Sequence, residues 1–412
     1  MKNKLDSLFF IRLFVPRTSQ ISSYPTRETA FAAFTCGSSN VNVLGMEVIM
    51  KRIKSFIVLL TVLCSVFMPA LPIQAEIDQS KWITSGIYQY EVLDKDMKTV
   101  TLWEINSSEP DIEIPKIIDG YNVISVGGNN DWDHHNVMGK NLLNLKSLTV
   151  PATVRNIGAN AFEGCKNLEK VKFFKDGNLI IRGGAFEDCS KLVNVTLYSA
   201  RLAGGCFHSP KKRIELTNVV DESYWRLGSG YANFQTPDIL VLNGNGTYDT
   251  SDFVGKQYIK EVYLNDETRF TFGNYITVKK LFVNGKLSSL GGEIRANNIY
   301  TIPSAKVIKA AQKAHVTYHV KSTGSMKKVT RKAKGKKYRY SWKPVKTTIK
   351  TYKYKGKKKG WKCTKKKAAT QYYVYAKKSR LDDYQLIKTT KKKQITTSYK
   401  YVKVKPVKIW LE

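Results

Sequence analysis

One recurrence constrains this chain more than any other feature. The apolar pattern of residues 154–173 returns 24 residues later. Ile157, Ala161, Phe162, Cys165, Leu168 and Val171 align with Ile181, Ala185, Phe186, Cys189, Leu192 and Val195, so six slots repeat in order. Upstream, Leu145, Leu148 and Val150 supply the strand half of an earlier unit. Downstream, Leu202, Cys206 and Phe207 continue the series, with a cysteine in the alanine slot. A unit of this length holds one strand and a turn of helix or loop, and it cannot bury its own apolar face. The units must therefore stack, so that each slot meets its equivalent in the next coil. Small Ala161 and Ala185 let the back of each coil pack closely. Bulky Phe162 and Phe186 fill the space between back and sheet.

A period of 20–29 residues with Leu and Val three apart is the leucine-rich-repeat signature. The pattern loosens after residue 215, but apolar clusters at 239–242, 259–264, 278–283 and 299–302 recur about every 20 residues, as expected for further solenoid strands with irregular backs. Residues 304–320 read as a closing element: a short helix across Ala305–Ala311, then a strand over His315–Val320. The unit Ile-Gly-x-x-Ala-Phe-x-x-Cys-x-x-Leu-x-x-Val resembles the BspA-like leucine-rich repeats of bacterial surface proteins. Tyr90–Val92, Ile112–Pro115 and Asp119–Gly127 resemble the first strands of that family. Residues 129–141, with Asp131, Asp133, His134 and His135, stand as an insertion. The resemblance implies a curved parallel sheet and a role in adhesion or protein recognition, with no catalytic residues.

Charge divides the chain. Residues 76–320 carry 28 basic and 27 acidic side chains, the balance of an ordinary soluble domain, whereas residues 321–412 carry 32 Lys and Arg against 3 acids. Blocks of like charge are usually disordered, but this tail is rich in aromatics and alternates with period two at Tyr338, Tyr340 and Trp342, at Tyr373 and Tyr375, and at Val402 and Val404. That alternation predicts strands with one wet face. Trp342-Lys-Pro344, Gln371–Tyr375, Tyr384–Thr390 and Tyr399–Val404 resemble the strands of Lys- and Tyr-rich fibronectin-type-III-like domains on exported proteins. The expected fold class is mainly β: a leucine-rich-repeat solenoid of parallel strands with an irregular or short-helical back at 76–320, then a small basic β-sandwich at 321–412.

Before the repeats, Met50–Lys54 is a short basic stretch, Ser55–Met68 is apolar, and Leu71–Ala75 ends on small residues. This order predicts a signal peptide cleaved after Ala75, because the apolar run is too short to span a bilayer. Residues 1–49 fit either translation that begins at Met46 or Met50, or an unusually long leader. The expected location is secreted or extracellular, associated with the envelope. With no LPxTG-type sorting signal and no hydrophobic C-terminal anchor visible in residues 321–412, electrostatic retention is the expected means of staying there. A tail of this charge would attract phosphate-rich wall polymers and acidic glycans, and less plausibly nucleic acid, by counterion release.

Chemistry-bearing clusters are sparse. The Asp131–His135 group could share a metal, but a solvated insertion loop is the blander reading, and the His315 and His319 pair is treated likewise. No metal, cofactor or catalytic residue is assigned. Cys165 and Cys189, in one slot of neighbouring rungs that stack about 4.8 Å apart, fit buried thiols that pack as small hydrophobes, with a disulfide as the alternative. Binding is expected on the outward positions of the sheet: Lys146, Ser147, Thr149, Glu169, Lys170, Lys172, Asn194 and Thr196. The expected function is a surface interaction or adhesion protein whose solenoid binds a protein or glycan and whose tail holds an anionic envelope polymer. The alternatives are an exported metal-assisted hydrolase using 129–141, or a structural spacer.

Overall fold

Alternating strand and turn segments wind the chain into parallel coils with a front and a back. The computed structural model describes residues 79–128, 142–174, 178–209, 211–221, 234–273, 275–286, 288–326 and 328–411. The leader region, the signal-peptide segment and the 129–141 insertion lie outside them. On the front, Asp111–Glu113, Ser147–Val150 and Lys170–Phe173 run parallel in one group. Asn194–Tyr198, Arg213–Thr217, Ile239–Asn243, Tyr258–Leu264, Thr277–Val283, Ala296–Thr301 and Thr317–Thr323 form a second parallel ladder. On the back, Tyr121–Val126, Asn156–Ile157, Leu179–Ile181, Ala200–Leu202 and Val220–Asp221 pair in parallel. Beyond residue 234 the back divides into short parallel groups, Phe234–Gln235 with Phe253–Val254, and Thr247–Asp249 with Arg269–Phe272 and Ser289–Gly292. An antiparallel set, Ile83–Ser85, Tyr88–Asp94 and Thr99–Ile105, closes the first coil and joins Tyr121–Val126.

The repeated slots meet in register. Phe162, Phe186, Phe207, Phe234 and Phe253 stack as a column, with successive centroids 5.3, 5.1, 5.4 and 6.0 Å apart. All five rings are fully buried. The column tolerates the loosened period because added residues fall outside the stacked slots: the phenylalanines lie 24, 21, 27 and 19 residues apart in sequence, yet one rung apart in space. Of the twelve repeat positions, eleven are buried, and Val171 is half-buried against the same core. Cys165, Cys189 and Cys206 are buried free thiols. A hydrogen bond with Cys165, then burial, push the Cys189 thiol far up its range. Gly158 sits where two coils touch: a Cβ there would overlap the Gly127 carbonyl.

The closing helix, Ala305–Lys313, buries Val307 and Ala311. The strand after it spans Thr317–Thr323, later than the sequence places it, because His315 takes a left-handed turn conformation (φ 55°) between helix and strand. That strand is not the end of the sheet. A hairpin, Thr347–Tyr354 and Trp361–Ala368, adds to it antiparallel. Tyr318 stacks on Tyr352 at 4.7 Å and meets Trp361 edge-on at 5.2 Å, so tail aromatics cover the last coil. The rest of the tail is a two-layer antiparallel sandwich. Val329–Lys334, Lys337–Trp342 and Gln394–Thr397 form one layer. Gln385–Thr390, Tyr372–Lys377 and Tyr401–Pro406 form the other. Tyr340, Trp342, Tyr372, Val374 and Val404 fill the space between.

Candidate functional site

Because side chains alternate along a strand, each front strand sends one row inward and one outward. The eight outward positions read from the sequence all retain solvent exposure. Lys146, Glu169, Lys170, Lys172 and Asn194 are exposed, and Ser147, Thr149 and Thr196 are half-exposed. They lie on the front strands Ser147–Val150, Lys170–Phe173 and Asn194–Tyr198 and at their leading edges.

The same outward register changes character further along. Thr196, Glu215, Val241, Tyr263, Phe282, Tyr300 and His319 occupy one row of paired residues. Tyr263, Phe282, Tyr300 and His319 stack face to face at 4.4, 4.7 and 4.3 Å. The row then passes through Thr351 into the tail hairpin, where Thr351 Oγ1 lies 2.9 Å from His319 Nδ1. Burial, then Lys366 and Lys353, hold the His319 pKa below its ordinary value. The sequence signal for this aromatic row is the middle residue of each apolar triplet (Val262-Tyr263-Leu264, Leu281-Phe282-Val283, Ile299-Tyr300-Thr301), which falls where the inward consensus has already frayed. His315 does not join His319. It stacks on Tyr354 at 4.0 Å, on the opposite side of the sheet.

Beside the row runs an asparagine ladder. Asn265 Nδ2 donates to Asn243 Oδ1 (2.8 Å), and Asn284 Nδ2 donates to Asn265 Oδ1 (2.9 Å). Such ladders satisfy amides one coil at a time and leave the terminal amide to find another partner. Here that partner is the main chain of Trp410: Trp410 N donates to Asn284 Oδ1 (2.8 Å), and Asn284 Nδ2 donates to Trp410 O (3.0 Å). The indole lies against Tyr300 (5.1 Å, edge-on) and Phe282 (6.3 Å), and its Nε1 donates to Thr301 O (3.1 Å).

A second feature lies in the sandwich. A cleft of about 770 Å³ opens beside Trp342, with Lys328, Lys343, Lys346, Thr330 and Ser341 on its walls. A neighbouring hollow shares Trp342 and Ser341 and is rimmed by Lys391, Lys392 and Lys393. The Trp342 indole nitrogen is buried with no hydrogen-bond partner among the described residues. Among the described residues, no three His, Cys, Asp or Glu side chains gather as a metal site. No described helix is long and apolar enough to cross a membrane.

The family model for the BspA type leucine rich repeat region (6 copies) matches residues 139–221. Among solved structures, the chain is similar to a leucine rich repeat protein of T. pallidum at 15% identity, covering 57% of this chain and 97% of that one with a TM-score of 0.31. A leucine-rich repeat protein from Bacteroides capillosus matches at 24% identity over 33% of this chain and 98% of its own (TM-score 0.28). A leucine rich cell surface protein from Faecalibacterium prausnitzii matches at 16% identity over 53% and 78% (TM-score 0.25). No curated protein matches the chain.

Proposed function

We propose that this is an exported interaction protein of the cell surface, in which the solenoid's front face holds a protein or glycan and the basic tail holds an anionic envelope polymer. The observation that carries the reading is the continuous outward row from Thr196 to His319 on a parallel ladder, polar and solvent-facing at its Thr196 end and aromatic at the other, where Val241, Tyr263 and Phe282 are buried in a cluster that Tyr300 and Trp410 pack against. Rigid faces with aromatic anchors bind with little ordering cost. The match to BspA type repeats supports a binding role, and no residue is assigned to catalysis. The tail's strand order, interrupted by the hairpin, is consistent with a fibronectin-type-III-like sandwich. Its lysines and the Trp342 cleft fit phosphate or carboxylate groups along a polymer.

The test uses the whole chain from residue 76, since a cut between 320 and 321 would divide the strand Thr317–Thr323. Binding to isolated wall polymer is measured across a salt series. Exchanging Lys343, Lys346, Lys391, Lys392 and Lys393 for Gln should weaken binding at low salt and flatten the salt slope by up to about 0.9 for each phosphate that is no longer neutralised. An unchanged slope rejects the tail assignment. In parallel, Lys172→Glu and Thr196→Arg should reduce capture of envelope proteins or glycans, and unimpaired capture rejects the front-face assignment.

A further inference from the structure

We propose that the front face around Asn284 is a binding site for an extended peptide that presents a tryptophan, and that residues 408–411 are the chain's own occupant of it. The inference rests on the reading of the front face as a binding surface and names the ligand class for one part of it.

The contacts to this segment are those of peptide recognition. Asn284 offers its amide oxygen and nitrogen to the N–H and C=O of one residue, Trp410. That two-way bond reads main chain, so it accepts any residue at that position. Discrimination comes from the side chain. The indole is set edge-on to Tyr300, lies near Phe282, and donates to the Thr301 carbonyl. A phenylalanine would fill part of the space and leave that carbonyl without its donor. One residue earlier, Lys321 donates to the Ile409 carbonyl while its ammonium lies 5.4 Å from the Trp410 ring. Burial lowers the Lys321 pKa, which agrees with an ammonium partly covered by the segment. Two lateral bonds, a pincer amide and an aromatic slot thus address two successive residues.

These contacts come from the solenoid, and the sandwich lends none of them. The sandwich holds the segment only as far as Val407, which is buried and whose N–H donates to Gln371 O at 2.9 Å. A peptide from a partner, threaded in the same direction, could make every contact that Ile409 and Trp410 make. Flexible tethering over a few residues gives an effective concentration in the millimolar range. The tethered segment therefore weakens the apparent affinity of any competitor, and the site opens fully only when the segment is displaced.

The test is fluorescence anisotropy with a labelled peptide, Lys-Pro-Val-Lys-Ile-Trp-Leu, against the chain from residue 76. The unmodified chain, the Trp410→Ala variant and a chain ending at Val407 are compared, with thermal melts to establish that each is folded. The expected result is saturable binding to both altered chains, at least ten-fold tighter than to the unmodified chain, and abolished when the peptide's tryptophan is replaced by alanine. Equal binding to all three chains, or binding indifferent to the peptide's tryptophan, overturns the proposal. If peptide binding fails while Lys172→Glu still abolishes envelope capture, this inference falls and the front-face reading stands. If the peptide binds as expected while capture ignores every front-face change, the site stands and the broader reading falls.

Discussion

Replacing Phe186 with alanine removes a ring from the middle of the five-membered column. Phe186 is fully buried, stacks on Phe162 at 5.3 Å and on Phe207 at 5.1 Å, and meets Phe173 edge-on at 6.1 Å. A buried aromatic side chain accounts for roughly 150–250 Å². At about 25 cal/mol per Å² its transfer contributes about 4 kcal/mol. The three ring contacts add on the order of 0.5–1.5 kcal/mol each, and collapse of the cavity recovers part of the sum. The expected loss is therefore about 3–5 kcal/mol, the range of large-to-small aromatic changes. Phe253 ends the described column, where it meets Phe234 at 6.0 Å, a wider spacing than the 5.1–5.4 Å of the other steps, so Phe253→Ala should cost less. The assay is equilibrium unfolding in urea, followed by circular dichroism, of Phe186→Ala, Phe253→Ala and the surface control Thr196→Ala. In a stacked array the interior position should lower the midpoint most. If Phe186→Ala costs no more than Thr196→Ala, the rings do not bear on one another and the in-register stacking is wrong.

Lys211 stands three residues before Ile214, which pairs with Val195, and so takes the slot held by Leu168 and Leu192 in the two preceding coils. It is 2% exposed, and its ammonium lacks a hydrogen-bond partner among the described residues. Burial lowers its pKa from 10.5 to about 8, partly countered by Cys189 and Cys206. The unfolded chain keeps that proton between about pH 8 and 10.5 while the folded chain releases it, so stability should rise with pH across that window. Lys211→Met should stabilise the chain at pH 7 by about 2–3 kcal/mol and abolish its share of the rise; a wild-type and variant difference that stays flat from pH 7 to 11 refutes this. Gly158→Ala should cost about 1–3 kcal/mol or more through overlap with the Gly127 carbonyl, read from the same urea curves, and a neutral result would mean the two coils separate freely.

How much of this was visible beforehand follows from distance along the chain. Phe162 and Phe186 announce themselves because each coil repeats within 24 residues, and local periodicity survives in sequence. The outward row Tyr263, Phe282, Tyr300 and His319 obeys the same alternation, but it belongs to coils whose inward consensus has frayed. Lys211 broke the hydrophobic slot and so hid its own place in the count. The hairpin Thr347–Tyr354 and Trp361–Ala368 shows strand character in its alternation, yet nothing in that alternation says it pairs with Thr317–Thr323 in place of the sandwich. Least legible is the Asn284 and Trp410 contact, 126 residues apart. A single polar side chain meeting a single peptide unit leaves no pattern to read.

The pairing of Thr317–Thr323 with Thr347–Tyr354 has a mechanical meaning. Six residue pairs stitch the two strands, so if the tail holds a wall polymer and the solenoid a partner, as proposed, a pull between them bears on a paired sheet seam as well as on the short connection from Thr323 to Val329. Such a joint transmits tension stiffly into the last coils, where Tyr300, His319 and Lys321 lie. Stretching the molecule would act first on the very surface that grips residues 409 and 410.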